Sequence, residues 1–152
     1  MDFPVLREGI LKVIPQRDPF LFVDEIVSAN TETLEAVYTF RPDNPVFAGH
    51  FPGNPVVPGV LMLEALAQAG AYFLLSKPEN AGKGVYLLKV NNAKFKRIVR
   101  PGERIELRIE KGRVFMGTAE CRAEARVNGE SAAAAELMCA LAQQASPDTG
   151  CV

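Results

Sequence analysis

A chain of 152 residues, 48% of them hydrophobic, is long enough to bury one core without disulfide or metal staples. Its 17 Lys and Arg against 18 Asp and Glu leave a formal net charge of −1, which argues against general nucleic-acid binding. An odd count of three cysteines (Cys121, Cys139 and Cys151) with no metal spacing, and a single histidine, weigh against a disulfide framework and a dedicated metal site.

No secretory leader is read at the start, so the expectation is a cytoplasmic protein with reduced thiols. The longest apolar stretch is interrupted by Glu64 and Gln68, so no membrane span is expected. There is no repeat and no linker, and residues 1–152 read as one domain with a small polar tail over 146–152.

Residues 3–12 read as a short helix. Residues 21–28 and 33–40 read as strands, the second with alternating character. A loop over 41–58 leads into a nearly all-apolar helix over 59–76. A turn-rich connection over 77–83 precedes a strand over 85–95. Residues 104–110 alternate strictly, with Ile105, Leu107 and Ile109 on one face. Residues 119–127 alternate likewise, with Glu120, Arg122, Glu124 and Arg126 on the polar side. Asn128-Gly129 is a hairpin signal that makes 131–142 the return strand. The alanines 132–135 favour helix by propensity, and the hairpin is expected to override them. One long buried helix among several antiparallel strands predicts an α+β fold, a curved antiparallel sheet wrapped around that helix. Such a sheet leaves a face or an edge to cover, so a homo-oligomer is expected.

The chemistry concentrates in Gly49-His50-Phe51-Pro52-Gly53-Asn54-Pro55-Val56-Val57-Pro58-Gly59 and the helix behind it. Three prolines stiffen this loop. Pro58 suits the first helical position, and the Gly59 and Val60 amides then lie in the first turn, without intrahelical partners. Such amides can receive a developing negative charge. His50 is the sole histidine, and an imidazole can take up a proton near neutral pH. For a lone histidine the bland alternative is a ring bonded to backbone in a structural role. The bland alternative for Glu64 is a solvated helix glutamate. The helix weakens it, because before Ser76 only Glu64, Gln68 and Tyr72 carry polar side-chain groups, and they lie four apart. A buried carboxyl needs a partner or a raised pKa. Gln68, one turn on, is placed to orient it. Apolar walls around such an acid/base pair suit a greasy substrate.

The run from His50 through Pro58-Gly59 to Glu64 and Gln68 resembles the motif of the β-hydroxyacyl-acyl-carrier-protein dehydratases of type II fatty acid synthesis. Residues 14–24, Ala93-Lys94-Phe95-Lys96-Arg97 with Pro101-Gly102-Glu103, and residues 135–140 resemble further segments of that family. The likeness runs from about residue 10 to 142. Gln16, Asp18 and Val57 depart from its usual histidine, aromatic and methionine.

The resemblance implies the hotdog fold and a homodimer, with a trimer of dimers left open. Each active site would be shared, with histidine from one subunit and glutamate from the other. The substrate would be a (3R)-hydroxyacyl thioester on the phosphopantetheine arm of acyl carrier protein. His50 would take the proton beside the carbonyl, Gly59 and Val60 would polarise that carbonyl, and Glu64 would protonate the leaving hydroxyl. Phe51, Leu63 and Leu66 would line an acyl tunnel. No metal or organic cofactor is called for. A basic stretch bearing Lys94, Lys96, Arg97 and Arg100 reads either as a solvated face or as a docking patch for the acidic carrier. A hotdog hydratase, a thioesterase and a non-catalytic carrier-binding module are the competing readings.

Overall fold

A computed structural model describes residues 2–143. Seven antiparallel strands form one sheet: β1 (Val5–Leu6), β2 (Glu25–Ala29), β3 (Thr33–Thr39), β4 (Lys83–Phe95), β5 (Arg104–Phe115), β6 (Thr118–Val127) and β7 (Glu130–Gln143). Their spatial order is β1-β2-β3-β5-β6-β7-β4. A short helix, α1 (Arg7–Leu11), follows β1, and the long helix α2 (Gly59–Leu75) packs against β3 to β7. The expected curved sheet around one helix is the arrangement found.

Strand alternation decides which face meets the helix. Ile105, Leu107 and Ile109 of β5 are buried, while Glu106 and Glu110 point outward. Asn128 and Gly129 both take positive φ (50° and 77°), the geometry of a two-residue type I′ hairpin. That hairpin pairs the alanine run of β7 with β6, with Ala133 opposite Ala125 and Ala135 opposite Ala123. Small side chains there let α2 and the sheet approach closely, so tertiary packing overrides helix propensity.

The sequence expectations differ from the structure at the edges of elements. The expected helix over 3–12 is confined to Arg7–Leu11, behind a two-residue strand. Arg17 gathers the carbonyls of Leu11, Ile14 and Gln16 instead of continuing that helix. The expected strand over 21–28 begins only at Glu25. Residues 20–22 turn their backbone polar groups to a helix side chain, as described below. β5 continues past Glu110 to a second hairpin at Met116 and Gly117. The expected tail over 146–152, with Cys151, lies outside the described residues. No helix among the described residues is long and apolar enough to cross a membrane.

Candidate active site

The loop before α2 is built from short-range hydrogen bonds. Asn44 Oδ1 accepts from Val46 N (3.0 Å) and starts a 3-10 turn over Pro45–Ala48. The His50 amide closes that turn on Val46 O (3.1 Å). Phe51 and Asn54 exchange backbone bonds of 3.2 and 2.9 Å, and Val56 N donates to His50 O (2.9 Å). The loop therefore folds back so that His50 and Val56 face each other.

That fold-back orients the imidazole. His50 Nδ1 lies 2.9 Å from Val56 O. A carbonyl oxygen only accepts, so Nδ1 carries the hydrogen and Nε2 is left as the basic nitrogen. The Phe51 ring stacks on the imidazole, with centroids 4.1 Å apart. Val57 is buried and its N–H donates to Val99 O (2.8 Å), which ties the loop to the β4–β5 connection.

Pro58 is the N-cap of α2 and not its first helical residue, which is Gly59, the start of the expected helix over 59–76. The helical hydrogen bonds start with Leu61 N donating to Pro58 O (3.0 Å). The Gly59 and Val60 amides precede that ladder. A Cβ at position 59 would sit 2.7 Å from the ring of the exposed Phe95, so a larger residue there would push that ring aside. Val60 is 69% exposed.

Glu64 is half-buried one turn further on. Its Oε1 accepts from Gln68 Nε2 at 2.9 Å. Burial pushes the Glu64 carboxyl above the usual glutamate range, and the Gln68 bond offsets part of that rise. Gln68 is only 1% exposed and fully committed. Its Oε1 accepts from Phe22 N (2.8 Å) and its Nε2 also donates to Phe20 O (3.0 Å). The two backbone contacts fix which end of the amide faces Glu64. Gln68 therefore bonds Glu64 from a side chain held by two distant backbone anchors that nothing in the local sequence signals. Among the described residues, His50 and Glu64 share no hydrogen bond within one chain.

The expected tunnel residues separate. Phe51 is exposed and Leu63 half-buried, whereas Leu66 has no exposure and belongs to the core. A narrow apolar slot opens instead beside the second half of α2, lined by Ala67, Gly70, Leu74, Cys121 and Cys139 among others. Burial pushes the Cys121 thiol up to about 12 and raises Cys139 as well, so neither is a thiolate nucleophile.

The expected docking residues also separate. Lys94 and Lys96 are exposed and border an open groove on the outer face of the sheet, whose lining is of mixed charge, with Arg122 and Arg126 beside Glu124 and Glu136. Arg97 is instead engaged internally, with a forked pair to Glu103 (2.9 and 3.1 Å) and a bond to Glu130 (3.2 Å). Arg100 Nη1 donates back to Asn54 Oδ1 (2.9 Å) and Pro55 O (3.3 Å). The Arg97 charge is paired with carboxylates, whereas Arg100 is exposed and only its Nη1 is engaged, by neutral acceptors.

A long helix held in a curved antiparallel sheet, with a histidine loop at its N-terminus and a half-buried glutamate on its second turn, defines a hotdog-fold protein. A family model described as a FabA-like domain matches residues 14–136, and the chain belongs to that family. The chain is 45% identical over 135 residues to "3-hydroxyacyl-[acyl-carrier-protein] dehydratase FabZ" of Chloroflexus aggregans, covering 88% of this chain and 94% of that one. It is 40% identical over 139 residues to the protein of the same name from Symbiobacterium thermophilum (91% and 98% covered). Among solved structures it resembles "The Dehydratase Heterocomplex ApeI:P" from Xenorhabdus doucetiae, with a TM-score of 0.76 at 12% identity over 95% of this chain and 94% of that chain. A thioesterase from Pseudomonas aeruginosa has a TM-score of 0.60 at 16% identity (80% and 82% covered). Identities this low speak for the fold alone.

Proposed function

We infer that this protein dehydrates (3R)-hydroxyacyl thioesters on acyl carrier protein to trans-2-enoyl thioesters in fatty acid biosynthesis. The observation that carries the reading is the half-buried Glu64, pinned by a fully bonded Gln68 and raised toward its protonated form. An acid held ready to give a proton to a leaving hydroxyl needs that environment. The relatives' shared name supplies the substrate class.

The chain's own residues account for each bond change. Nε2 of His50 takes the proton from the carbon beside the thioester carbonyl. As that C–H bond breaks, charge grows on the carbonyl oxygen, and the N–H groups of Gly59 and Val60 are the donors that face it. The electron pair forms the new double bond and expels the β-hydroxyl. Glu64 delivers its proton to that oxygen, and water leaves. Gln68 occupies Oε1, so the transferred proton belongs to Oε2. His50 then holds a proton and Glu64 lacks one, and a proton passed through solvent restores both. Each acid/base group contributes about 10² to 10⁴ in rate.

The working unit in this reading is a homodimer with His50 and Glu64 supplied by different subunits. Among the described residues the outer edge of β4 has no strand beside it, and it exposes Leu87 and Leu88. Along α2 a half-exposed apolar stripe runs through Leu63, Ala67 and Leu74. A second copy of the chain would cover both. The acyl tail would pass along Phe51 and Leu63 into the slot beside α2, and the carrier would meet Lys94 and Lys96. Residence in the cytoplasm follows from the pathway.

The experiment is an assay on 3-hydroxybutyryl-acyl-carrier-protein that follows enoyl thioester absorbance and free thiol release together. Enoyl product without thiol release supports the dehydratase. Thiol release as the main reaction overturns it in favour of a thioesterase.

A further inference from the structure

We propose that Arg100 is a positioning residue for His50, acting through the Pro55–Val56 peptide and held in place by Glu103 and Arg97. The proposal rests on the reading of His50 as the base.

The geometry runs in one chain of contacts. His50 Nδ1 bonds to Val56 O (2.9 Å), so the direction of the imidazole depends on how residue 56 is set. The peptide that precedes Val56 is pinned at both ends. Its carbonyl, Pro55 O, accepts from Arg100 Nη1 (3.3 Å). Its N–H, that of Val56, donates to His50 O (2.9 Å). The same Nη1 also donates to Asn54 Oδ1 (2.9 Å). One guanidinium nitrogen therefore grips two consecutive residues of the turn facing His50.

Arg100 is itself fixed from behind. Its backbone N–H donates to Glu103 Oε2 (2.8 Å). Arg97 forks onto both oxygens of the same carboxylate. These donors, Arg97 first and then the Arg100 amide, hold the Glu103 carboxyl below the usual glutamate range. Gly102 N donates to Phe40 O (2.8 Å), which ties this turn to the end of β3. The loop from Gly49 to Pro58 contains no strand, so its setting depends on such tethers. Val57 N to Val99 O is one, and Arg100 supplies another. A small error in the placement of a base is costly, because about 1 Å of misplacement can cost 10²-fold in rate.

The test measures kcat and KM for Arg100→Gln, Arg100→Lys, Asn54→Ala and the Arg100→Gln/Asn54→Ala double variant. Each is assayed on a carrier-linked 3-hydroxyacyl substrate and on a small 3-hydroxyacyl thioester without the carrier. Circular dichroism checks the fold. The expected result is a kcat lowered about 10- to 100-fold on both substrates for Arg100→Gln, with KM barely changed. Arg100→Lys should recover part of the loss, since a single nitrogen makes both contacts. The double variant should fall no further than Arg100→Gln, because both changes cut the same link. Should Arg100→Gln fail to fold, Arg100→Lys and Asn54→Ala decide by the same kcat criterion. A raised KM on the carrier-linked substrate alone would show that Arg100 acts on the carrier, and the proposal falls. Unchanged kinetics, or losses that multiply in the double variant, overturn it as well. His50→Ala is the control for the underlying reading: if it stays active, the base assignment fails, whatever the Arg100 variants do.

Discussion

Gln68 donates from Nε2 to Glu64 Oε1 at 2.9 Å, one helical turn away, and every other hydrogen-bonding group of that buried amide is also engaged. The amide is a bridge between the N-terminal segment and the proposed acid. Gln68→Leu should therefore do two things. It leaves the buried Phe22 N without its partner, which costs about 1–3 kcal/mol for a group left unpaired in the interior, and it also breaks the part-buried bond to Phe20 O. It also removes the bond that lowers the Glu64 pKa, so the high-pH limb of the activity profile should move to higher pH. A thermal unfolding curve and a pH–rate profile measure the two effects separately. An unmoved limb would show that Gln68 serves packing only.

Glu64→Gln should abolish most dehydration while making the protein more stable at neutral pH. The sign follows from the raised pKa. The folded state favours the protonated carboxyl, so the stability this group contributes is fully present below the ordinary glutamate pKa. It is lost as pH rises through the higher folded value. A neutral glutamine keeps the contact with Gln68 and escapes that loss. The gain in unfolding temperature should therefore appear at pH 7 to 8 and vanish near pH 4. Glu64→Asp should keep some activity with poorer reach. If Glu64→Gln turned over like the parent, the acid would have to lie elsewhere.

His50→Ala should lose nearly all turnover and keep its fold. No second histidine exists to take over, and the ring packs against exposed Phe51 at the surface of the loop. Steady-state kinetics with circular dichroism on the same sample provides the check. Near-normal turnover in the folded variant contradicts the assignment.

Much of this arrangement is legible in the amino-acid sequence. Period-two patterns locate β5 and β6, and the Asn128-Gly129 turn forces the alanine run into β7 against its propensity. The isolation of Glu64 and Gln68 on an apolar helix points to their bond. What the sequence hides is contact between residues far apart along the chain. Nothing local shows that Phe20 and Phe22 spend their backbone groups on Gln68, 46 to 48 residues away. Charge alone likewise suggests that Arg97 and Arg100 are docking residues. A basic residue beside a turn reads the same whether it faces solvent or a carboxylate, and only the fold brings Glu130 and Asn54 to these two.

Mixing His50→Ala subunits with Glu64→Gln subunits should restore activity to two inactive preparations. In a shared-site dimer, one of the two sites of the mixed species recovers an intact histidine and an intact glutamate. Mass spectrometry of the mixture confirms that subunits have exchanged. Exchange without recovered activity would place both groups within one chain.

The separation of the basic residues predicts two different phenotypes. Lys94 and Lys96 are exposed at the border of a groove whose deeper lining mixes arginines with glutamates, so it is the two lysine charges that can act on an acidic partner from a distance. Replacing both lysines with glutamate should raise KM for the carrier-linked substrate and leave turnover of a small thioester nearly unchanged. Added salt should raise the parent's KM for the carrier substrate and raise the double variant's less, because screening acts on long-range attraction. Arg97→Glu should behave otherwise. It places a third carboxylate beside Glu103 and Glu130, where the guanidinium now bonds both, so the loss should appear in thermal stability and in kcat on both substrates. Its salt dependence should match the parent's. Equal losses on both substrates for the lysine variant would mean that the groove supports the fold or the chemistry, and the docking assignment would fall with it.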